Sequence, residues 1–105
     1  MNIVLVKQGM VELRDSNGNL IRTISCSGTN AVSADLSADG SKILITTGRG
    51  EVELRRSDGN LIRTISCYGN GNAVDADWSG QDILVKTSSG NVELRREDGN
   101  LIRTL

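Results

Sequence analysis

The chain has no histidine, no proline and no phenylalanine, and only one tryptophan and one tyrosine. Without histidine it lacks the side chain that titrates near neutrality and serves most often as general base and metal ligand. Few aromatics leave few platforms on which a sugar or a base could stack. Lys and Arg number 12 against 13 Asp and Glu, interspersed along the chain. No basic stripe exists to neutralise phosphates, so nucleic acid is not an expected partner. The longest apolar runs, Ile3-Val4-Leu5-Val6 and Ile43-Leu44-Ile45, fall far short of the ~20 residues of a membrane helix. The N-terminal MNIVLVKQG has neither a basic leader region nor the apolar stretch of a signal peptide. No membrane is expected, and a cytoplasmic location is the default expectation.

What is present is repetition. Residues 11–26 read VELRDSNGNLIRTISC, residues 52–67 read VELRRSDGNLIRTISC, and residues 92–105 read VELRREDGNLIRTL. Val11 and Val52 are 41 residues apart, and Val52 and Val92 are 40 apart. Such a period marks a supersecondary unit that buries its faces only by stacking on copies of itself. At 105 residues the chain is at most one domain.

The second copy predicts four strands. Residues 31–37 alternate apolar and polar, the period of a strand. Ala38-Asp39-Gly40-Ser41 turns the chain. Residues 42–47 form the next strand, and Gly48-Arg49-Gly50 turns again. Residues 51–56 place Val52 and Leu54 on one face and Glu53 and Arg55 on the other. Ser57-Asp58-Gly59-Asn60 is hairpin chemistry, in which Gly18, Gly59 and Gly99 require positive φ. Residues 61–66 form the fourth strand. The runs Ile43-Leu44-Ile45 and Ile83-Leu84-Val85 are apolar on both faces, as suits a strand covered on both sides. Arg22, Arg63 and Arg103 lie on the outer strand, where their stems can cover apolar surface while the charge stays in water.

The stretch VSADLSADGSKILITTGRGEVELRRSDGNLIRTI resembles a blade of the WD-repeat β-propellers. Leu36-Ser37-Ala38-Asp39-Gly40 matches the end of that family's inner strand and its Ser-Pro-Asp-Gly turn, with Ala for Pro. The Trp-Asp pair that ends the family's third strand is replaced by Leu13-Arg14, Leu54-Arg55 and Leu94-Arg95, and the Gly-His pair is absent. The resemblance implies an all-β fold of propeller blades, each of four antiparallel strands, here called a to d from the channel outward. Val4-Leu5-Val6-Lys7 aligns with Ile83-Leu84-Val85-Lys86, so the chain starts on a strand b. The sectors are then a partial b-c-d blade over residues 1–25 and complete blades over 31–66 and 73–105, eleven strands in all.

Three sectors make an open fan with apolar end faces, larger than a soluble monomer exposes. Closure by homo-oligomerisation is therefore expected, six sectors from a dimer or nine from a trimer. The trimer is favoured, because a wider ring better tolerates missing inner strands. Val4, Val6, Val11 and Leu13 are expected to meet Val85, Leu94 and Leu101 of the next copy.

No copy holds a base, nucleophile and oxyanion constellation, so the reading is a non-enzymatic assembly and protein-binding scaffold. The alternative is a lectin-like propeller binding glycans through repeated loop sites, for which only Trp78 and Tyr68 offer platforms. Candidate ligand residues are Asp35 and Asp77 on the inner strands, and Tyr68, Asn70 and Asn72 in the connection between the outer strand and the next inner strand. A ring of carboxylates could hold a hard cation, but a wet channel needs none, and the expected state is a carboxylate that is solvated or bonded to backbone amides of the next blade. Asp15-Ser16-Asn17-Gly18-Asn19 is explained by its hairpin, and Trp78 stands at a core position. Cys26 and Cys67 read as small buried thiols copied by duplication, with no zinc spacing. Neither metal nor cofactor is expected.

Overall fold

A computed structural model describes residues 2–26, 28–67 and 71–105. Its strands are β1 (Ile3–Lys7), β2 (Met10–Arg14), β3 (Leu20–Ile24), β4 (Ala31–Leu36), β5 (Lys42–Thr47), β6 (Val52–Arg56), β7 (Leu61–Ile65), β8 (Ala73–Ser79), β9 (Asp82–Thr87), β10 (Val92–Arg95) and β11 (Leu101–Thr104). They form three antiparallel meanders: β1-β2-β3, β4-β5-β6-β7 and β8-β9-β10-β11. These are the expected blades, the first with three strands and the others with four. They stack face to face in chain order, joined by two apolar clusters.

Turn chemistry sets the hairpins. Gly18, Gly59 and Gly99 have φ of 87°, 99° and 93°. Each closes a three-residue loop rather than the two-residue turn that Asp-Gly suggests. Gly59 N–H donates to the Arg56 carbonyl at 2.9 Å and Arg56 N–H to the Asn60 carbonyl at 2.9 Å, with a bulge between Leu54 and Arg55. That is a type I turn followed by a left-handed glycine. A Cβ at Gly59 would also approach Ile24 Cγ1 of the preceding blade at 3.6 Å. Gly59→Val should lower stability by about 1–2 kcal/mol, the penalty for left-handed geometry with a Cβ. Urea denaturation measures it, and an unchanged midpoint would refute the strain.

The b–c turn of the first blade is shorter than the others. Gln8 and Gly9, with φ of 55° and 77°, connect β1 and β2 directly. Thr47–Glu51 and Thr87–Asn91 need one residue more. This shifts the alignment of the first strand. Val4 faces Leu13 across the ladder as Leu44 faces Leu54 and Leu84 faces Leu94. Val4 therefore corresponds to Leu84, not to Ile83. With a period of two, a one-residue slip exchanges the two faces of a strand.

The shift turns Val4 and Val6 inward, and the direction of stacking turns Val11, Leu13 and Val85 inward; together they correct the expected outer contact. Val4, Val6 and Val11 pack inward against Ala31, Ile43 and Ile45 of the second blade. Val85 packs inward against Leu44, Val52 and Leu54 from the other side. Leu13 is buried as well. The end faces instead present Ile3, Leu5, Glu12 and Arg14 on the first blade, and Leu84, Val92 and Leu94 on the third.

Candidate functional site

The blade junctions hold the chain's buried polar chemistry. Glu53 and Arg55 alternate with Val52 and Leu54 along β6, so they face the first blade. Glu93 and Arg95 face the second blade in the same way. Both pairs are buried, Glu93 at 0% exposure. Arg55 Nε and Nη2 each donate to Glu53 Oε1 at 2.8 Å, and its Nη1 donates to the Gly59 carbonyl at 2.7 Å. Arg95 repeats this with Glu93 and Gly99 at 2.8 and 2.7 Å. Glu12 and Arg14 make the same bond, at 2.8 to 3.0 Å, on the open face of the first blade. In a dry junction such a pair is tolerable only because its remaining donors and acceptors are also engaged.

The outer strands lock onto the same hairpins. Arg22 Nη1 donates to the Asp58 carbonyl and Arg63 Nη1 to the Asp98 carbonyl, both at 3.1 Å. Each arginine reaches from one blade to the c–d turn of the next. Lys42 forms an ion pair with Glu97 across the second junction.

Cys26 and Cys67 are free and buried. Each thiol donates to the glutamate of the next blade, Glu53 or Glu93. Burial first, and then the carboxylate, push both thiols up to about 11. In the folded chain both should resist iodoacetamide at pH 8, and both should react once denatured; rapid labelling of the native protein would contradict this burial. The folded value lies above the ordinary 9.0. The contribution to stability is therefore intact below pH 9 and is lost as pH rises toward 11.

The inner strands of the second and third blades, β4 and β8, are joined directly. Asp35 Oδ2 accepts the Trp78 N–H at 2.9 Å, and Ser33 Oγ donates to Asp75 Oδ1 at 2.9 Å. Asp77 lies on the third blade's inner strand; burial, then Asp75 and Asp35, raise its carboxyl above the ordinary range. Asn72 lies on the face formed by the b–c and d–a connections. Its N–H donates to Ser88 Oγ at 3.0 Å, and it borders a shallow cleft with Arg49, Glu51 and Ser66. Tyr68 and Asn70 lie outside the described residues. The structure thus separates Asn72 from Asp35 and Asp77: the first is on the face of the b–c and d–a connections, the others are on the inner strands β4 and β8.

A larger cleft, of about 530 Å³, opens on the opposite face between the second and third blades. Ser37, Asp39, Lys42, Trp78, Gln81 and Glu97 line it. Trp78 is half-buried against the inner cluster, and its Nε1 has no partner among the described residues. Hydrogen bonds from Ser41 and Ser37 hold Asp39 down to about 2.

Sequence reasoning missed the junction pairs, whereas the Asp35–Trp78 bond is the expected bond of an inner-strand carboxylate to a backbone amide of the next blade. One signal was available for the pairs. Glu12/Arg14, Glu53/Arg55 and Glu93/Arg95 are unchanged in all three copies, while the next position drifts between Asp15, Arg56 and Arg96.

No family model matches the chain, and no curated protein matches it. Solved structures do match. One is the WD40 β-propeller domain of Doa1, with a TM-score of 0.80 over 98% of this chain at 16% identity. The chain spans 36% of the length of that structure. The fold is therefore that of WD-repeat-like propeller blades, in an open three-sector segment.

Proposed function

We propose that this chain is an oligomerising part-propeller, closed into a ring by head-to-tail copies of itself, and that the ring is a non-enzymatic scaffold presenting its loop faces to a protein partner. The observation that carries the reading is the identity of the open and buried faces. The third blade's open face has Leu84, Val92 and Leu94 where the second blade buries Leu44, Val52 and Leu54 completely. The first blade's open face has Ile3, Leu5, Glu12 and Arg14 where the second buries Ile43, Ile45, Glu53 and Arg55. Ile3 is 48% exposed and Leu105 67% exposed. Each face has its complement on the other end of the chain, which is the condition for a heterologous head-to-tail contact, and such a contact makes a ring when its rotation closes.

The same logic extends to the polar contacts. Arg103 stands where Arg22 and Arg63 stand, and its acceptor in a second copy is the carbonyl of Asn17, the counterpart of Asp58 and Asp98. A nine-sector trimer is preferred to a six-sector dimer, because a wider channel better accommodates blades that lack an inner strand. Asn72 on the face of the b–c and d–a connections, and Asp35 and Asp77 on the inner strands, are offered to a partner, with Tyr68 and Asn70 kept from the sequence as further candidates. Sedimentation at micromolar concentration tests the assembly. The expected mass is about 34 kDa, three times 11.2 kDa. A stable 11.2 kDa species would remove the ring.

A further inference from the structure

The third copy departs from the second at three places that meet in one cleft. Trp78 stands opposite Ile83 where the second blade sets Leu36 opposite Ile43. The hairpin between these partners holds six residues in the second blade and only four, turning at Gly80-Gln81, in the third. Glu97 stands in the c–d turn where the second copy has Ser57. Trp78, Gln81 and Glu97 all line the cleft of about 530 Å³ between the two blades, facing Ser37, Asp39 and Lys42 of the longer hairpin. Both blades are complete four-stranded sheets, so neither wall is an end of the chain.

Packing accounts for Leu36 but not for Trp78. The indole rests on the inner cluster, yet its Nε1 is enclosed with no acceptor among the described residues. A side chain needed only for packing carries no such donor, and buried indole N–H groups ordinarily find a partner. What tryptophan adds over leucine is aromatic surface along the cleft. The polar atoms around it are held in place but not used up. Asp39 Oδ1 accepts from Ser37 Oγ and Ser41 Oγ at 2.7 Å and from the Ser41 N–H at 3.0 Å, while its Oδ2 accepts nothing among the described residues. Those bonds hold the carboxyl down to about 2, so it is ionised at neutral pH. Glu97 gives Oε1 to Lys42 and leaves Oε2 open in the same way. The Gln81 amide is exposed and makes no bond among the described residues.

We propose that this cleft binds a sugar, its ring laid on Trp78 and its hydroxyls donating to Asp39 Oδ2 and Glu97 Oε2 and meeting the Gln81 amide. The volume is that of a small-molecule site, roughly 300–1,000 Å³. The charges select the class of ligand. Asp39 and Glu97 with Lys42 set both signs around one cleft, so a cation meets an ammonium group and an anion meets two carboxylates. An uncharged polyol brings donors to strong anionic acceptors and an apolar C–H face to the indole. The repeated glycan sites expected of a lectin-like propeller thus become a single site, because only the third copy carries Trp78 and Glu97. Both walls belong to one chain, so the site goes beyond the ring and does not depend on it.

Trp78 is the chain's one tryptophan, so its emission reports on the site directly. The full chain is titrated with the methyl glycosides of glucose, mannose, galactose and N-acetylglucosamine, and with cellobiose. At least one should shift the emission saturably at millimolar concentration or below, and should protect Trp78 from acrylamide quenching. Asp39→Asn, which keeps the shape and removes the charge, should weaken that sugar about tenfold or more, and so should Glu97→Ser. Trp78→Leu and Glu97→Ser install residues that the second copy already carries at these places, so both should fold. Saturation-transfer NMR should then show no sugar contact in Trp78→Leu. No response to any of these sugars, binding that survives Trp78→Leu, or an equal response to arginine or choline would each overturn the proposal. Sedimentation of the same sample keeps the two readings apart: a monomer that binds sugar supports the cleft and removes the ring.

Discussion

Replacing Glu93 with alanine should destabilise the fold by about 3–5 kcal/mol, because it leaves the Arg95 guanidinium buried without its carboxylate. Glu93 is fully buried, accepts from Arg95 and takes the Cys67 thiol proton bond as well, so no solvent can replace it. A urea melt followed by tryptophan fluorescence reads the loss, since Trp78 packs against the same junction. Glu93→Leu combined with Arg95→Met should lie nearer to neutral, since no lone charge is then buried. Glu12→Ala supplies an internal comparison. The Glu12–Arg14 pair is partly exposed in the single chain, where such pairs are worth under about 1 kcal/mol. In a closed ring the same substitution should be as damaging as Glu93→Ala. A Glu93→Ala protein as stable as its parent would show that water reaches the junction.

Leu94→Asp should dissociate the proposed head-to-tail assembly into single chains while leaving each one folded. Leu94 lies half-buried on the open face of the third blade, in the position where Leu54 is fully buried against its neighbour. In a lone chain the aspartate is hydrated; in a head-to-tail contact it is an unpaired charge in an apolar junction. Loss of affinity should exceed tenfold, and the sedimenting species should fall to 11.2 kDa. Val4→Asp provides the contrast. Val4 packs inside the chain, against the second blade, so this change should unfold the first blade rather than merely dissociate copies. An unchanged mass for Leu94→Asp would place the contact elsewhere.

The strand period, the turn glycines and the internal copies were enough to determine the blade, the eleven strands and the three-sector span. These are local properties. Alternation such as Val-Glu-Leu-Arg can only be a strand, and Asp-Gly followed by Asn can only turn back on itself at a glycine with positive φ. The apolar character of both faces of the central strands was legible for the same reason, since Ile43-Leu44-Ile45 and Ile83-Leu84-Val85 leave neither face polar. Which strand face meets which neighbour was decided by the tertiary structure. The Gln8-Gly9 turn is one residue shorter than its counterparts, and that single residue moves Val4 and Val6 from the outer face to the inner one.

The site depended on tertiary structure still more. Nothing in the local pattern of Glu53 and Arg55 separates a buried pair from a solvated one, because alternation specifies two faces and not what covers the second. Burial comes from the first blade, whose Ile24 and Cys26 lie some thirty positions earlier and close over that face only when the sheets stack. Likewise the Asp35 carboxylate finds the Trp78 amide, 43 positions later, only because the stacked sheets bring the inner strands β4 and β8 together. A sequence repeat specifies the unit and its need for neighbours; the direction of stacking, and hence the chemistry enclosed between units, exists only once two units are in contact.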